Sequence, residues 1–472
     1  MRAKTVVAGL VIGVGASVAG ADVLRWINAS GGSWTDAANW DAGRVPTQQD
    51  DVVLDLPGTY TINVPQDGYV GLVSIRNGNV VLTGPGVLSS ISGQGGVGLT
   101  VGQPGQPASL TVSGARFYHV ASAGDTIQIE PGSRMEVTTG GSLYTTHSGA
   151  DIKVGATLVI SGGTFNPGWT RLRGTGLVTS GLLTGEFMEI GPAANLLVTG
   201  PSAVVRSQEG WGTIGGTIQV TDGGRLNLYA GTDGIGVNIS ASDGGLVEGS
   251  NLELDAASSV VVGEGGVWRV TSTYRGPVTA RAGADFLIGG VFHSTLDVDQ
   301  AAIVTRGFIA LKQGLTVEID GAAEPAAALV PAYGQNNWTY ITGPLNLRVR
   351  NANALRPGDV IPIFRHELND TQAFSALNAP SIGGGRVLTL SRTGNPATTS
   401  IVVSQGPPSC YLDADFNGDG DIGTDQDIEA FFACIGGTCC AACASADFNG
   451  DGDTATDQDI EAFFHVLGGG SC

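Results

Sequence analysis

Short stretches of alternating apolar and polar residues, separated by glycines, fill most of the chain. Pairs such as Leu110/Val112 and Leu158/Ile160 lie two residues apart, as a strand with one buried face requires. A seven-residue motif containing such pairs recurs, with variations, at residues 108–114, 156–162, 194–200 and 224–230. Its spacings cluster near about 20 to 25 residues or multiples of that length, as in the coils of a β-helix. The pattern predicts a right-handed parallel β-helix over residues 60–321, because only stacked coils can bury such a core.

A series of β-sandwiches is the alternative architecture, since short strands separated by turns suit both folds. Two features favour the solenoid. The glycine-flanked strands follow one another without long loops, and the chain lacks the aromatic core residues that a sandwich tends to show. The fold is therefore predicted to be mainly β, with a small β cap and a helical module at the C-terminus.

Residues 22–59 precede this rhythm and contain Trp34, Trp40 and Pro46 before the first apolar strand. Their order resembles the N-terminal segment of secreted bacterial β-repeat proteins of the autotransporter and surface-adhesin kind. We expect the two tryptophans to cap the exposed end of the stacked core, as terminal repeats must. A platform on which sugar rings stack is the alternative interpretation.

The glycines that separate the short strands become less regular at residues 321–331, where a proline-flanked connector begins a new unit. Residues 332–404 are predicted to form a β cap that hides the last strand edges from aggregation. The order of their apolar strands is similar to the closing unit of the same secreted repeat proteins. Residues 405–409 read Gln-Gly-Pro-Pro-Ser and are expected to form a stiff linker.

The tail, residues 410–472, contains one pattern twice. Residues 415–421 read Asp-Phe-Asn-Gly-Asp-Gly-Asp and return identically at 447–453, and each copy continues into Asp-Gln-Asp-Ile-Glu-Ala-Phe-Phe. Apolar residues then follow at helical spacing, so a helix is predicted after each loop. The helical positions are Ile428, Phe431, Phe432 and Ile435, then Ile460, Phe463, Phe464 and Leu467.

Each tail loop offers several oxygens close together, which is what a hard cation with flexible coordination requires. The pattern Asp-x-Asn-x-Asp-Gly supplies side-chain oxygens from its first, third and fifth residues and turns at the glycine. Two copies with identical ligands predict two calcium ions. The predicted ligands are Asp415, Asn417 and Asp419 in the first loop and Asp447, Asn449 and Asp451 in the second. The seventh residues, Asp421 and Asp453, are expected to contribute backbone carbonyls.

A tandem pair of such loops, each followed by one helix and flanked by cysteines, resembles the Cys-containing dockerin modules at the C-termini of bacterial surface proteins. The resemblance implies a loop-closing Asp, which we assign to Asp427 and Asp459 with one inserted residue per loop. Asp425 and Asp457 are the fallback. Dockerins bind cohesin domains through the residues just before that Asp, usually a hydroxyl pair. Here the partner-binding positions are Asp425, Gln426, Asp457 and Gln458, which points to a cohesin-like or other cell-surface scaffold protein.

The six cysteines all lie in the tail, at Cys410, Cys434, Cys439, Cys440, Cys443 and Cys472. An even count in a short exported module predicts disulfides, and the sequence does not choose among the possible pairings. Zinc is the alternative, but no Cys-x-x-Cys pair recurs at finger spacing. The net charge of -20 is concentrated in the tail, which favours cations and argues against nucleic acid as a partner.

Residues 1–21 have the three regions of a secretory signal peptide: basic Arg2 and Lys4, an apolar run, and a small-residue cleavage site ending at Ala21. A membrane anchor is the alternative, but the run is shorter than the ~20 residues that a span requires. We therefore expect a secreted or cell-surface protein without a membrane span after signal removal.

The predicted solenoid contains no recognisable catalytic motif. Asp297 and Asp299 share one strand face but are interpreted as ordinary exposed carboxylates, and His119, His147 and His293 as ordinary surface or partly buried histidines. The favoured function is a structural or adhesive solenoid anchored through its tail, and polysaccharide is a further partner that the sequence permits. The alternative is a dockerin-anchored polysaccharide lyase or glycoside hydrolase of the β-helix type.

Overall fold

The computed structural model describes residues 22–470 with short gaps. The gaps are residues 92–96, 121–124, 147, 229–231, 275, 282–283, 287–289, 294–295, 299–302, 306–308, 312–313, 323–328, 332–338, 342, 366–373, 384–385, 395–397, 406–413 and 444. The predicted signal peptide, most of the predicted linker, Cys410 and Cys472 therefore lie outside the described residues.

The described residues from 22 to 405 form mostly short strands, as the alternating pattern predicts, together with two strands of 16 and 19 residues. Those of the first half are β1 Val23–Arg25, β2 Gly32–Ser33, β3 Asp51–Leu54, β4 Thr59–Asn63, β5 Gly68–Val70, β6 Val73–Ile75, β7 Asn79–Thr83, β8 Val87–Ile91, β9 Leu99–Val101, β10 Ser109–Val112, β11 Arg116–Val120, β12 Asp125–Ile129, β13 Arg134–Thr138, β14 Ser142–Thr146, β15 Gly149–Ile152, β16 Thr157–Asn166, β17 Trp169–Leu172, β18 Thr175–Ile190, β19 Asn195–Thr199 and β20 Ala203–Thr221.

The second half continues in the same way. Its strands are β21 Arg225–Leu228, β22 Thr232–Ala241, β23 Leu246–Leu254, β24 Ser259–Val262, β25 Val267–Tyr274, β26 Val278–Ala280, β27 Asp285–Phe286, β28 Gly290–His293, β29 Leu296–Val298, β30 Ile303–Thr305, β31 Ile309–Leu311, β32 Leu315–Asp320, β33 Leu329–Pro331, β34 Thr339–Ile341, β35 Leu345–Arg350, β36 Val360–Arg365, β37 Leu377–Asn378, β38 Arg386–Thr393 and β39 Thr398–Gln405. Short 3₁₀ turns lie at Ala37–Asn39 and Ala352–Ala354.

The strands stack in parallel rows, one coil above the next. One row runs through β4, β7, β10, β13 and β16. A second runs through β5, β8, β11, β14 and β16, and a third through β3, β6, β9, β12 and β15. Three faces thus enclose one interior. The predicted parallel solenoid is confirmed, and the β-sandwich alternative is wrong, because sandwich sheets pair their strands antiparallel.

Columns of apolar side chains fill the interior. Tyr60, Val80, Leu110 and Met135 oppose one another on consecutive coils of the first row, and all four are buried. The intervening residues of each strand point outward, because successive side chains of a strand point to opposite faces. Each coil therefore contributes a layer to a core that no coil could bury alone.

The N-terminal segment forms the first coil. β1 pairs with β3 and β2 with β4, both in parallel. Trp26, Trp34 and Trp40 lie fully inside this coil in edge-to-face contact, with ring centroids 5.1 Å apart for Trp26/Trp40 and 4.8 Å for Trp34/Trp40. The rings cap the core and offer no exposed face, so the sugar-stacking platform is wrong for these residues.

The parallel ladder runs on beyond residue 321. Leu345 on β35 opposes Leu315 on β32, and Leu377 on β37 opposes Leu345 in turn. Beside these rungs, β30, β33, β36, β39 and β38 form a second sheet, in which β39 pairs antiparallel with both of its neighbours. One continuous apolar core extends from the first coil into this sheet. The described part of segment 332–404 therefore adds coils to the solenoid and contributes to a closing sheet that is part parallel and part antiparallel.

The tail folds around a core of its own. It contains α1 Asp425–Ile435 and α2 Asp457–Leu467, which confirms the two predicted helices. Four phenylalanines, two from each copy of the repeat, form the centre of this core, and the rings of Phe431 and Phe463 are stacked with centroids 4.2 Å apart. No helix among the described residues is long and apolar enough to cross a membrane.

Candidate metal centre

Both tail helices begin with the same reciprocal hydrogen bonds. The Asp427 carboxylate accepts from the backbone N–H and the hydroxyl of Thr424, at 2.8 and 2.9 Å. Asp459 accepts from the same two groups of Thr456, both at 2.8 Å. This capping box uses Asp where Glu or Gln is usual. It places two carboxylates, both fully buried, at the points where the loops enter the helices.

Hydrogen bonds to backbone N–H groups fold the first loop on itself. Asp415 Oδ2 accepts from the N–H of Gly420 at 3.0 Å, and Asn417 Oδ1 accepts from that of Asp419 at 2.9 Å. The N–H of Asp421 donates to Asp419 at 2.9 Å. Such turns are the local structure that Asp and Asn favour. They bring side-chain oxygens from alternate residues to one side of the loop.

The second loop repeats these bonds. Gly452 donates to Asp447 Oδ2 at 3.0 Å, Asp451 to Asn449 at 2.9 Å and Asp453 to Asp451 at 2.8 Å. The identical sequences therefore give nearly identical loop paths.

Three carboxylates of the second loop converge. One oxygen each from Asp447, Asp451 and Asp459 lies within 4.8 Å of the other two. Oxygens bound to one Ca²⁺ ion lie at most about 5 Å apart, because Ca–O distances are about 2.3–2.6 Å. The spacing of the three carboxylates therefore fits a calcium ion.

One oxygen of Asp447 has no hydrogen-bond partner among the described residues. This oxygen, Oδ1, is buried. A buried, unpaired carboxylate oxygen beside two further carboxylates is unfavourable, because like charges repel and desolvation disfavours the charged form. A cation bound between the three carboxylates removes both costs. The residues present thus fit the predicted metal.

The first loop differs in two respects. Among the described residues, its carboxylates Asp415, Asp419 and Asp427 do not form a converging group of the kind found in the second loop. Asp415 Oδ1, the counterpart of the unpaired oxygen, accepts from the N–H of Asp419 at 3.1 Å. Burial raises the pKa of Asp427, but hydrogen bonds from Thr424 and Asn417 outweigh burial and hold that pKa below its ordinary value. The Asp427 carboxyl is therefore ionised at neutral pH, as a ligand must be.

The two sets of residues proposed to close the loops lie in different environments. Asp459 belongs to the converging group, and Asp427 occupies the equivalent buried position. The fallback residues and the predicted partner-binding residues, Asp425, Gln426, Asp457 and Gln458, are exposed on the first turns of the helices. The side chains of Asp421 and Asp453 are exposed as well.

The sequence pattern did not reveal an exposed aromatic pair on the tail. Phe432 and Phe464 belong to the predicted apolar stripes, yet they are 45% and 43% exposed, with ring centroids 6.1 Å apart. On each helix, two exposed acidic residues precede the phenylalanine at helical spacing and form a stripe with it. They are Asp425 and Glu429 on α1, and Asp457 and Glu461 on α2. The two stripes meet at the phenylalanines. We call these six residues the helix-pair surface.

The described cysteines form local disulfides, Cys434–Cys439 and Cys440–Cys443. The first joins the last turn of α1 to the segment that follows it, and the second lies within that segment, before the second loop. Their sulfurs are therefore engaged in these bonds, which leaves the zinc alternative without thiolate ligands among the described residues.

Asp297, which the sequence singled out in the solenoid, forms an ion pair with Arg348. Asp151 on an earlier coil is paired in the same way with Arg173. His119 lies wholly inside the solenoid, deeper than the surface or partly buried position expected of it, and burial lowers the pKa of its imidazole. Asp299, His147 and the side chain of His293 lie outside the described residues.

The fold and the site together define a parallel β-solenoid protein with a small helical tail in which acidic groups are arranged to hold a cation. No protein-family model and no curated protein matches the sequence.

Proposed function

We propose that this chain is an exported structural or adhesive solenoid, held at the cell surface or on a scaffold protein by a calcium-dependent, dockerin-like tail. Two observations carry the proposal: carboxylate oxygens of Asp447, Asp451 and Asp459 converge, and one buried oxygen of Asp447 has no hydrogen-bond partner among the described residues. This geometry lies in a loop that the chain repeats with two differences, Thr454 for Ile422 and Ala455 for Gly423. A rod with a separately folded terminal module suits attachment, because the module can be held without disturbing the coils.

Calcium is the cation we assign to both loops. The ligands are carboxylate and amide oxygens, and such hard ligands in a flexible loop favour calcium over softer metals. The second loop takes an ion between its three carboxylates. The first takes one after Asp415 Oδ1 exchanges its hydrogen bond with the N–H of Asp419 for the metal. One ion is therefore expected in each loop, and the second loop is expected to bind more tightly.

The helix-pair surface is the part of the tail that we assign to the partner. It combines two exposed phenylalanines with four carboxylates, so it matches a protein surface with an apolar patch and basic neighbours. Exposed aromatic side chains are common anchors of protein interfaces. The near-symmetry of the two helices gives two similar edges for the same contact.

Calcium titration of the full-length mature protein by calorimetry tests the metal assignment. The wild type should bind two ions, and Asp459→Asn should remove or weaken at least tenfold the tighter site. Asp457→Asn is the matched control, since this neighbouring carboxylate is exposed, and it should leave both sites unchanged. Absence of calcium binding in the wild type would refute the metal assignment.

Cell fractionation tests the anchor. The protein should remain on washed cells in calcium and be released by a chelator. Replacing both Phe432 and Phe464 with Ala should release it even in calcium, while the calorimetric calcium sites persist. Retention of this double variant at the wild-type level would show that the helix-pair surface does not hold the partner.

A further inference from the structure

A cleft of about 550 Å³ lies at the N-terminal end of the solenoid. Gln48 and Gln49 line it from the loop before β3, and Gln66 and Tyr69 line it from the turn before β5 and from β5 itself. These four side chains are exposed. The cleft is of a size that commonly holds a small ligand.

A buried donor without an acceptor lies beneath this cleft. Trp34 lines the cleft, is 0% exposed, and its indole N–H has no hydrogen-bond partner among the described residues. The other two indoles of the cluster are satisfied: Trp26 donates to the Asn28 carbonyl at 2.7 Å and Trp40 to that of Trp34 at 3.0 Å. Buried donors nearly always have a partner. The missing acceptor therefore points to a ligand or an ordered hydroxyl in the cleft.

Gly68 packs against this donor, which is itself closed to solvent. A Cβ at this position would lie 3.1 Å from Nε1 of Trp34 and 3.5 Å from its Cδ1. The backbone of Gly68 does not adopt the left-handed conformation that would itself require glycine. A side chain at residue 68 would therefore occupy the region between the cleft and the indole N–H.

The lining indicates the chemistry of the ligand. Amide side chains both donate and accept hydrogen bonds, as sugar hydroxyls do. The exposed ring of Tyr69 offers an apolar surface beside them. None of the lining residues is Lys or Arg, and the adjacent Arg44 is engaged by Asp50 and Asp22. Asp67 also lines the cleft, and its negative charge disfavours an anionic polymer there.

We propose that this cleft binds a neutral saccharide. The sugar ring lies against Tyr69, its hydroxyls hydrogen-bond the three glutamine side chains, and one hydroxyl accepts from the Trp34 N–H after the exposed side chains move aside. The inference makes the adhesive part of the proposed function specific, but it does not depend on calcium or on the tail.

The solenoid has a competing aromatic surface. Trp169 and Phe187 are exposed on adjacent coils with ring centroids 5.5 Å apart. Their neighbours along the row are Gly149 and Gly210. This pair lies far along the chain from the cleft and shares none of its lining residues, so it serves as the internal comparison.

The test is calorimetric titration of the full-length mature protein with soluble neutral oligosaccharides of glucose, mannose, galactose and N-acetylglucosamine, and with oligogalacturonate. At least one neutral oligosaccharide should bind with millimolar or better affinity. Gly68→Ala should weaken binding at least tenfold, and Gln66→Ala severalfold. Gly212→Ala is the matched control, because a Cβ there meets nothing closer than 3.7 Å and its backbone is not left-handed. It should bind like the wild type with an unchanged unfolding midpoint.

Three results would overturn the proposal: no binding of any neutral oligosaccharide, binding that Trp169→Ala abolishes while Gly68→Ala leaves it intact, or binding of oligogalacturonate alone. Chelation of calcium should leave saccharide binding unchanged. Loss of calcium binding in the tail and loss of saccharide binding in the cleft are therefore separate outcomes.

Discussion

The solenoid and the tail are both repeated sequences, but they repeat in different ways. In the solenoid, Tyr60, Val80, Leu110 and Met135 occupy one position of successive coils, and all that they share is an apolar side chain. In the tail, residues 415–421 and 447–453 are identical. The solenoid coils share only a pattern of apolar positions, whereas the two tail copies share the residues themselves.

The difference follows from what each repeat must satisfy. A coil is held by backbone hydrogen bonds, which any residue supplies, and by burial, which depends on apolar area rather than identity. A cation site requires particular oxygens at particular distances, so one substitution removes a ligand. Variation among the coils and identity between the loops thus indicate packing in one region and chemistry in the other.

The largest expected effect is a loss of stability in the tail core that leaves the solenoid core unchanged. Phe431→Ala should destabilise the tail by about 3–5 kcal/mol, the usual cost of truncating a buried phenylalanine. Phe432→Ala, one residue away and 45% exposed, should change stability by no more than about 0.5 kcal/mol. Denaturant unfolding of each variant, followed by loss of the far-ultraviolet helix signal, measures both changes in stability. A matching shift in the strand transition would show that the regions do not unfold separately.

Calcium removal should act on the tail alone. With free calcium at about 100 times the dissociation constant, each bound ion stabilises the folded tail by about 2.7 kcal/mol. Thermal unfolding with and without a chelator should therefore shift the helix transition and leave the strand transition in place. A shift of both transitions would contradict the comparison.

A glycine at a stacking contact should matter more than one in open space. Gly181 has a φ of +87°, and a Cβ there would clash with the Gly163 carbonyl of the preceding coil. Gly181→Ala should cost about 2 kcal/mol or more. Gly105 has a φ of +77° with nothing near its Cβ position, so Gly105→Ala should cost only about 1 kcal/mol of backbone strain. Urea unfolding midpoints compare the two, and equal costs would refute the role of the stacking contact.

The smallest expected effect concerns an ion pair in the first coil. Hydrogen bonds from the Arg44 guanidinium, at 2.6 and 2.7 Å, hold the pKa of Asp50 well below its usual range. Because Arg44 is 41% exposed, solvent screens the pair, and Asp50→Asn should cost only about 1 kcal/mol at neutral pH.

The pH dependence of this difference gives a second measurement. The folded protein holds the Asp50 proton less tightly than the unfolded chain does, so the pair contributes fully above the ordinary Asp pKa of about 3.9. The contribution declines as pH falls from there through the folded pKa. The gap between wild-type and Asp50→Asn midpoints should therefore narrow below about pH 4. A constant gap would show that Asp50 stabilises through its shape alone.

The sequence predicted what depends on pattern. Alternation such as Leu110/Val112 was sufficient for the strands, and the repeated motif for their stacking. The end of the solenoid could not be located from the sequence. Leu345 and Leu377 continue the parallel ladder, but the segments around them lack the regularly spaced glycines of the earlier coils. Helical spacing alone could not separate buried Phe431 from exposed Phe432, since both fit one apolar stripe and only the packing of α1 on α2 distinguishes them.

The candidate sites divide in the same way. The metal ligands follow one another within each loop, so their spacing was readable from the sequence. The cleft brings Trp34 beside Gly68 and is lined by both Gln48 and Gln66, and only the stacking of the first coils puts these residues together. The unpaired oxygen of Asp447 and the unpaired N–H of Trp34 have no signature in the sequence.

The sheet that closes the solenoid also determines how the rod resists pulling. The tail follows β39, which lies between β36 and β38 and is hydrogen-bonded to both. Under the proposed attachment through the tail, tension would enter the solenoid through this central strand. Extracting that strand requires two antiparallel ladders to slide at once, whereas an edge strand would peel away one bond at a time. The closing sheet is thus placed to act as a mechanical clamp between the coils and whatever holds the tail.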